Sequence, residues 1–121
     1  MDRVAVCQQN SKQLDNTGLL CTEIMQALKE HLEATTNVQY KAAIEKDIIT
    51  ISNLQLITVA VKKDIVTDKV GASTELLLRI AANDFKNKLA LIPEKKTLRD
   101  KIIKSLKEVH GSILQLAPAS N

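Results

Sequence analysis

The sequence predicts an all-α protein, an antiparallel up-down four-helix bundle with a long first helix. Hydrophobic residues make up 45% of its 121 residues, an ordinary share for a chain that builds a packed core. Tyr40 and Phe85 are its only aromatic residues, so that core must consist of aliphatic side chains, which suit interdigitating helices. Three glycines and two prolines also leave fewer turn signals than an all-β domain needs.

The first predicted helix spans roughly residues 2–34, with Asp2 as its N-cap. Apolar or small residues alternate at spacings of three and four, which keeps them on one stripe of the helix. The stripe stays in phase across Gly18, so we predict a continuous helix although glycine costs about 1 kcal/mol there relative to alanine. Its small members should let a neighbouring helix approach closely. The stripe consists of Val4, Cys7, Ser11, Leu14, Gly18, Cys21, Met25, Leu28 and Leu32.

The second segment, roughly residues 37–69, is apolar on two sides when drawn as a helix. One face should point into the bundle, and we expect Asp47, close to that face, to stay in solvent because a buried carboxylate needs a partner. The other face needs a cover of its own. The inward face consists of Tyr40, Ile44, Ile48, Ile51, Leu54, Val61 and Ile65.

A β-hairpin is the competing interpretation of residues 48–61. Residues 49–51 and 54–56 alternate apolar and polar side chains, and β-branched residues are frequent. Ser52-Asn53, however, is a poor tight turn without glycine, and a lone hairpin is only marginally stable. We therefore favour a helix.

Two shorter helices complete the predicted bundle. The third runs from about Ala72 to Leu91, with Ser73 or Thr74 as its cap. The fourth begins at Pro93, a residue favoured at the first helical position. We expect the third helix to point Leu78, Ala81, Phe85, Leu89 and Ile92 inward, with Leu76, Leu77 and Ile80 widening the same stripe. The fourth should bury Leu98, Ile102, Leu106, Val109, Ile113 and Leu116.

The chain length predicts a single helical-bundle domain over residues 1–117, followed by a frayed C-terminal tail at 118–121. The first residues lack the apolar run of a signal peptide, and no stretch approaches the roughly 20 apolar residues of a membrane span. We therefore expect a soluble protein that is cytoplasmic or otherwise intracellular.

The residues that could carry chemistry are few. Cys7 and Cys21 lie about 21 Å apart on one helix, too far for a disulfide, and are best interpreted as packing residues; a disulfide between two chains is the alternative. His31 and His110 are expected on charged surfaces. No catalytic, phosphate-binding or metal-binding spacing occurs in the sequence. We therefore predict a protein that is not an enzyme and has no cofactor, metal or small-molecule substrate.

The predicted function is that of a protein–protein interaction module, such as an adaptor, scaffold or regulatory subunit. Its partner would be another protein or a second copy in a homodimer. The alternative is a basic helical protein that binds nucleic-acid phosphate or an anionic membrane surface through Lys96, Lys101, Lys104 and Lys107. The predicted protein contacts are the second apolar face of segment two: Val38, Ala42, Ile49, Leu56 and Val59.

Overall fold

The computed structural model describes residues 2–88 and 96–116, which form four helices and contain no strand. The predicted all-α class is therefore confirmed, and residues 48–61 are helical rather than a hairpin. The tail at 118–121, the predicted helix start at Pro93 and the predicted core residues Leu89 and Ile92 lie outside the described residues. The helices are α1 (Arg3–Ala34), α2 (Val38–Val66), α3 (Ala72–Lys88) and α4 (Lys96–Leu116).

The helices form a closed ring in which each one packs against the next and α4 returns to α1. Cross-helix side-chain bonds show the antiparallel order, because residue numbers rise on one helix as they fall on the other. Met25 and Asp15 of α1 bond to Ser52 and Lys62 of α2, and Gln13 and Thr17 of α1 bond to Glu108 and Ser105 of α4. With 32 residues, α1 is the longest helix, about 48 Å at 1.5 Å per residue. The up-down bundle with a long first helix is thus confirmed. Within the described ranges, no helix has an apolar stretch long enough to cross a membrane.

Local caps set the ends of the helices. The Asp2 carboxylate accepts the backbone N–H of Val4 at 3.0 Å, which confirms the predicted N-cap. Asn37 accepts the N–H of Tyr40 at 3.0 Å and starts α2 in the same way. These bonds satisfy backbone donors that have no partner inside a first helical turn.

The start of α3 differs from the prediction that Ser73 or Thr74 caps it. Gly71 occupies the cap position, and its N–H donates to the Thr74 hydroxyl at 3.2 Å. That hydroxyl donates in turn to Asp64 on α2 at 2.7 Å. Thr74 is buried and acts from the third helical position, where a side chain can reach back to the cap residue.

The seam of α1 shares Leu14, Cys21 and Leu28 with the predicted stripe, but its other members lie one residue before the predicted ones. Val4 is exposed, while Ser11, Gly18 and Met25 are only half-buried on the side that faces α2. An added Cβ at Gly18 would meet nothing within 4 Å, so this glycine does not mark a close helix approach. The buried residues are Asn10, Leu14, Thr17, Cys21, Ile24 and Leu28.

The apolar core runs through all four helices and follows the predicted inward faces of α2 and α4. Tyr40, Ile48 and Leu98 are half-buried at its border. Its fully buried large members are Leu14, Ile24, Leu28, Ile44, Ile51, Leu54, Ile65, Leu78, Phe85, Ile102, Leu106 and Ile113.

Candidate protein-interaction surface

The second apolar face of α2 lies on the outside of the bundle. The large residues predicted for contact, Val38, Ile49, Leu56 and Val59, have exposed fractions between 60% and 78%. Ala42 is also exposed. The inward stripe of α2 turns towards the other helices, so none of these five side chains is needed for the core.

The exposed side of α2 is also uncharged over a long distance. Residues 48–61 contain no acidic, basic or histidine side chain on any side of the helix. The outer helix of a bundle ordinarily carries charged residues on its solvent face. Over these four helical turns, α2 therefore exposes to solvent an uncharged surface of the kind that helices usually bury against one another.

The third helix extends this surface. Leu76, Leu77 and Ile80 are 42–49% exposed, so the expectation that they widen the inward stripe of α3 is wrong. The inward positions are Thr74, Leu78, Ala81 and Phe85. The three-four spacing of these inward residues fills the one side of α3 that faces the core. The same spacing in the sequence could have predicted that Leu76, Leu77 and Ile80 lie outside.

A groove of about 330 Å³ lies between α2 and α3 at this surface. Its apolar lining consists of Ile49, Leu54, Leu56, Ile57, Ile80 and Ala81. Thr50, Asn53 and Asp84 add polar groups to the same groove. A partner's apolar side chain can thus contact both helices at once. We call the exposed residues Ile49, Leu56, Val59, Leu76, Leu77 and Ile80 the α2/α3 surface.

A second groove, of about 650 Å³, lies between the beginning of α1 and the end of α2. Exposed Val4 and Val66 and half-buried Cys7 line it. Two ion pairs, each with an N–O distance of 2.7 Å, hold this end of the bundle together: Lys62 on α2 with Asp15 on α1, and Arg3 on α1 with Asp68, just after α2. The hydrogen bond that Arg3 donates to the Asp68 carboxylate raises the pKa of Arg3. The apolar residues of this groove are thus flanked by the charged side chains of the two ion pairs.

The four lysines of α4 predicted for anion binding are exposed: Lys96, Lys101, Lys104 and Lys107. Arg99 on the same helix is half-buried and donates to the Lys86 carbonyl at 2.8 Å. Two exposed carboxylates share that helix, and one of them, Glu108, accepts a hydrogen bond from Gln13 on α1 at 2.6 Å. The other, Asp100, immediately precedes Lys101. The positive charge of α4 is therefore interleaved with negative charge.

Asp47 is buried, which corrects the expectation that it stays in solvent. Its exposed fraction is 3%, and its Oδ2 atom has no hydrogen-bond partner. Burial raises the pKa of this carboxyl to about 6, because the charged form loses its hydration. It lies on the inward stripe of α2, between the buried residues Ile44 and Ile51.

Three other ionisable side chains also have unusual surroundings: His110, Glu75 and Cys21. His110 is half-buried, but its neighbours are charged: it lines a groove with Arg79, Lys86 and Lys107, and its Nε2 atom lies 2.9 Å from Glu75 across the α3–α4 contact. The hydrogen bond from His110, and a second one from Arg79, lower the pKa of Glu75. Burial raises the pKa of the Cys21 thiol to about 12, so this packing residue stays protonated and unreactive at neutral pH.

Within the ranges that the structure describes, no group of three or more histidine, cysteine or acidic residues is placed to hold a metal ion. Both cysteines are free thiols. The chain matches no protein-family model, and no curated protein or solved structure shows significant similarity to it. The α2/α3 surface is thus the feature from which a function can be argued.

Proposed function

We propose that this protein is a non-catalytic interaction module that binds another protein through the α2/α3 surface. The observation that carries the proposal is the uncharged, exposed apolar side of α2 between residues 48 and 61, continued on α3 by Leu76, Leu77 and Ile80. Contiguous exposed apolar surface of this kind is typical of contact sites in otherwise water-compatible proteins.

The energetics support this assignment. Burying a large aliphatic side chain contributes roughly 1.5–3 kcal/mol relative to leaving it in water. The bundle gains only the smaller part of this from Ile49, Leu56 or Val59, which are 60–69% exposed and lie outside the core cluster. A protein partner with its own apolar helix would gain that free energy on binding.

The basic side of α4 supports the alternative function less well. Binding to phosphate or to anionic lipid needs a concentrated positive field. The exposed Asp100 and Glu108 reduce that field near Lys101, Lys104 and Lys107. The α2 part of the α2/α3 surface contains polar residues such as Asn53 but carries no charge over residues 48–61.

Photo-crosslinking in the cells that naturally express the protein tests the proposal. A benzophenone amino acid replaces Leu56 on α2 or Leu77 on α3, and Lys104 on α4 as the matched exposed control. We expect protein adducts from the first two positions and none from position 104. When the polar substitution Ile80→Gln is added to the proteins labelled at position 56 or 77, the yield of those adducts should fall.

Two results would overturn the proposal. One is the lack of adducts at positions 56 and 77 although the labelled protein is present at its normal level. The other is an equal yield of adducts from position 104, which would show that the crosslinks reflect random encounter rather than a defined surface.

A further inference from the structure

The exposed side of α2 carries a second heptad pattern. Its residues alternate at spacings of four and three along the whole helix, as the buried ones do on the inward side. All are exposed except Ser52, which is half-buried. A helix with two such stripes is suited to two helix–helix contacts at once. We call this set the α2 stripe: Val38, Ala42, Glu45, Ile49, Ser52, Leu56, Val59, Lys63 and Val66.

The side chains of the α2 stripe are complementary to those of a second α2 stripe that runs in the opposite direction. Glu45 and Lys63 are its charged members, and each lies nine residues from Leu54, on opposite sides. The other members from 42 to 66 are arranged about the same centre. Each pair combines two apolar residues, or a small hydroxyl with an apolar residue: Ala42 with Val66, Ile49 with Val59, and Ser52 with Leu56.

We propose that the α2 stripe binds a second copy of this chain, with the two α2 helices antiparallel about a two-fold axis at the level of Leu54. This inference rests on the proposed function and names its partner. Glu45 of each protomer then lies opposite Lys63 of the other, while Ile49 packs against Val59. A two-fold contact of this kind is self-complementary and closed, so it yields a dimer and no larger polymer.

Charge selects this register over the others. Reversing a three-four pattern restores the pattern only in registers that differ by seven residues. A shift of one heptad in one direction places Glu45 opposite Leu56, and a shift in the other direction places Lys63 opposite Ser52. A parallel arrangement would bring Glu45 against Glu45 and Lys63 against Lys63, which like-charge repulsion disfavours.

Both charged members are available for this pairing. Within the described part of the chain, neither the Glu45 carboxylate nor the Lys63 ammonium makes an ion pair. By contrast, Lys62, the neighbour of Lys63, is already bonded to Asp15 on α1. The bundle thus uses the adjacent lysine for its own stability and leaves the one on the α2 stripe unpaired.

The decisive experiment reverses these charges and measures mass by sedimentation equilibrium over a concentration series. We expect the wild type to form a dimer. Glu45→Lys and Lys63→Glu should each raise its dissociation constant by roughly tenfold or more, because each variant turns two attractive pairs into two repulsive ones. The double variant should recover the dimer.

Mixing the two single variants is the sharpest arm of this experiment. One chain then has lysine at both positions and the other has glutamate at both, so we expect a mixed dimer with two attractive pairs. Lys104→Glu on α4 is the matched control and should leave the dimer unchanged. All three substitutions are at exposed residues, so circular dichroism should show that each variant retains the helices.

The outcomes separate the two proposals. A wild type that stays monomeric, or single variants that dimerise like the wild type, overturns the α2–α2 pairing. The pairing is also wrong if neither the double variant nor the mixture recovers the dimer. If the chain is monomeric but positions 56 and 77 still crosslink to a different protein, the proposed function stands and only the self-pairing fails.

Discussion

At the scale of single residues, Asp47 is the side chain whose environment departs furthest from its chemistry. A carboxyl group that is 3% exposed, with one oxygen unpartnered, favours its neutral form. Its pKa in the folded protein, about 6, lies above its ordinary value of 3.8. The folded state therefore binds a proton that the unfolded state has already released between these two values.

The sign of the resulting pH dependence follows from proton linkage. The contribution of Asp47 is most favourable below pH 4, where both states are protonated. It declines as the pH rises through 6 and then stays constant, with a total loss on the order of 3 kcal/mol at about 1.4 kcal/mol per pKa unit. We expect Asp47→Asn and Asp47→Leu to remove this decline, as measured by urea unfolding between pH 4 and 7. If the free energy of unfolding of the variants changes with pH in the same way as that of the wild type, the prediction is wrong.

Thr17 is also a buried polar residue but, unlike Asp47, it has hydrogen-bond partners. Its hydroxyl is fully buried but donates to the Gln13 backbone carbonyl at 2.9 Å and lies 2.8 Å from the Ser105 hydroxyl on α4. A buried polar group with its hydrogen bonds made costs little, whereas one without them is expensive. The bundle therefore tolerates a threonine on the seam of α1.

At the scale of elements, α1 retains a glycine that its packing does not require. A methyl group at position 18 meets nothing within 4 Å, and the residue lies in the middle of a 32-residue helix. We expect Gly18→Ala to raise the free energy of unfolding by about 1 kcal/mol, because alanine loses less backbone entropy on folding. Chemical denaturation measures the change.

Gly111 provides the comparison for this prediction. It too has open space at the Cβ position, but it lies near the end of α4, where helices fray. Gly111→Ala should therefore stabilise the protein less than Gly18→Ala. A loss of stability in Gly18→Ala would show that α2, whose Gln55 amide donates to the Gly18 carbonyl at 3.4 Å, packs more closely than the structure indicates.

At the scale of the whole molecule, the fold separates residues that stabilise the bundle from residues that remain for binding. Leu54 and Leu56 are two residues apart on α2, yet the first is buried and the second is exposed. At concentrations where the chain is monomeric, Leu56→Gln should change the free energy of unfolding by no more than about 0.5 kcal/mol. Leu54→Ala should lower it by roughly 2–5 kcal/mol.

Denaturant titration of both variants, with sedimentation of Leu56→Gln at higher concentration, measures these effects. Leu56→Gln should weaken the dimer while it preserves the stability of the monomer. A large loss of monomer stability in this variant would place Leu56 in the core and remove it from the α2/α3 surface. Working at low concentration matters because dimerisation itself adds to apparent stability.

The sequence determined the local features of the protein. Helical periodicity, caps such as Asp2 and the breaks at 35–37 and near Gly71 depend on neighbouring residues, so the number and order of the helices could be predicted. The two apolar sides of α2 could be predicted for the same reason. The contact role of Val38, Ala42, Ile49, Leu56 and Val59 remains a prediction, although the structure leaves these residues outside the core.

Only the tertiary structure decided which stripe of each helix faces the core. On α1, Leu14, Cys21 and Leu28 belong to both the predicted and the actual seam, and a small rotation exchanges Gly18 for Thr17. That rotation depends on partners distant in sequence, such as Ser105, which satisfies the Thr17 hydroxyl. On α2 and α3, the same global packing buried Asp47 and left Leu76, Leu77 and Ile80 outside. Periodicity defines a stripe to within about one residue, and the joint packing of four helices sets its final orientation.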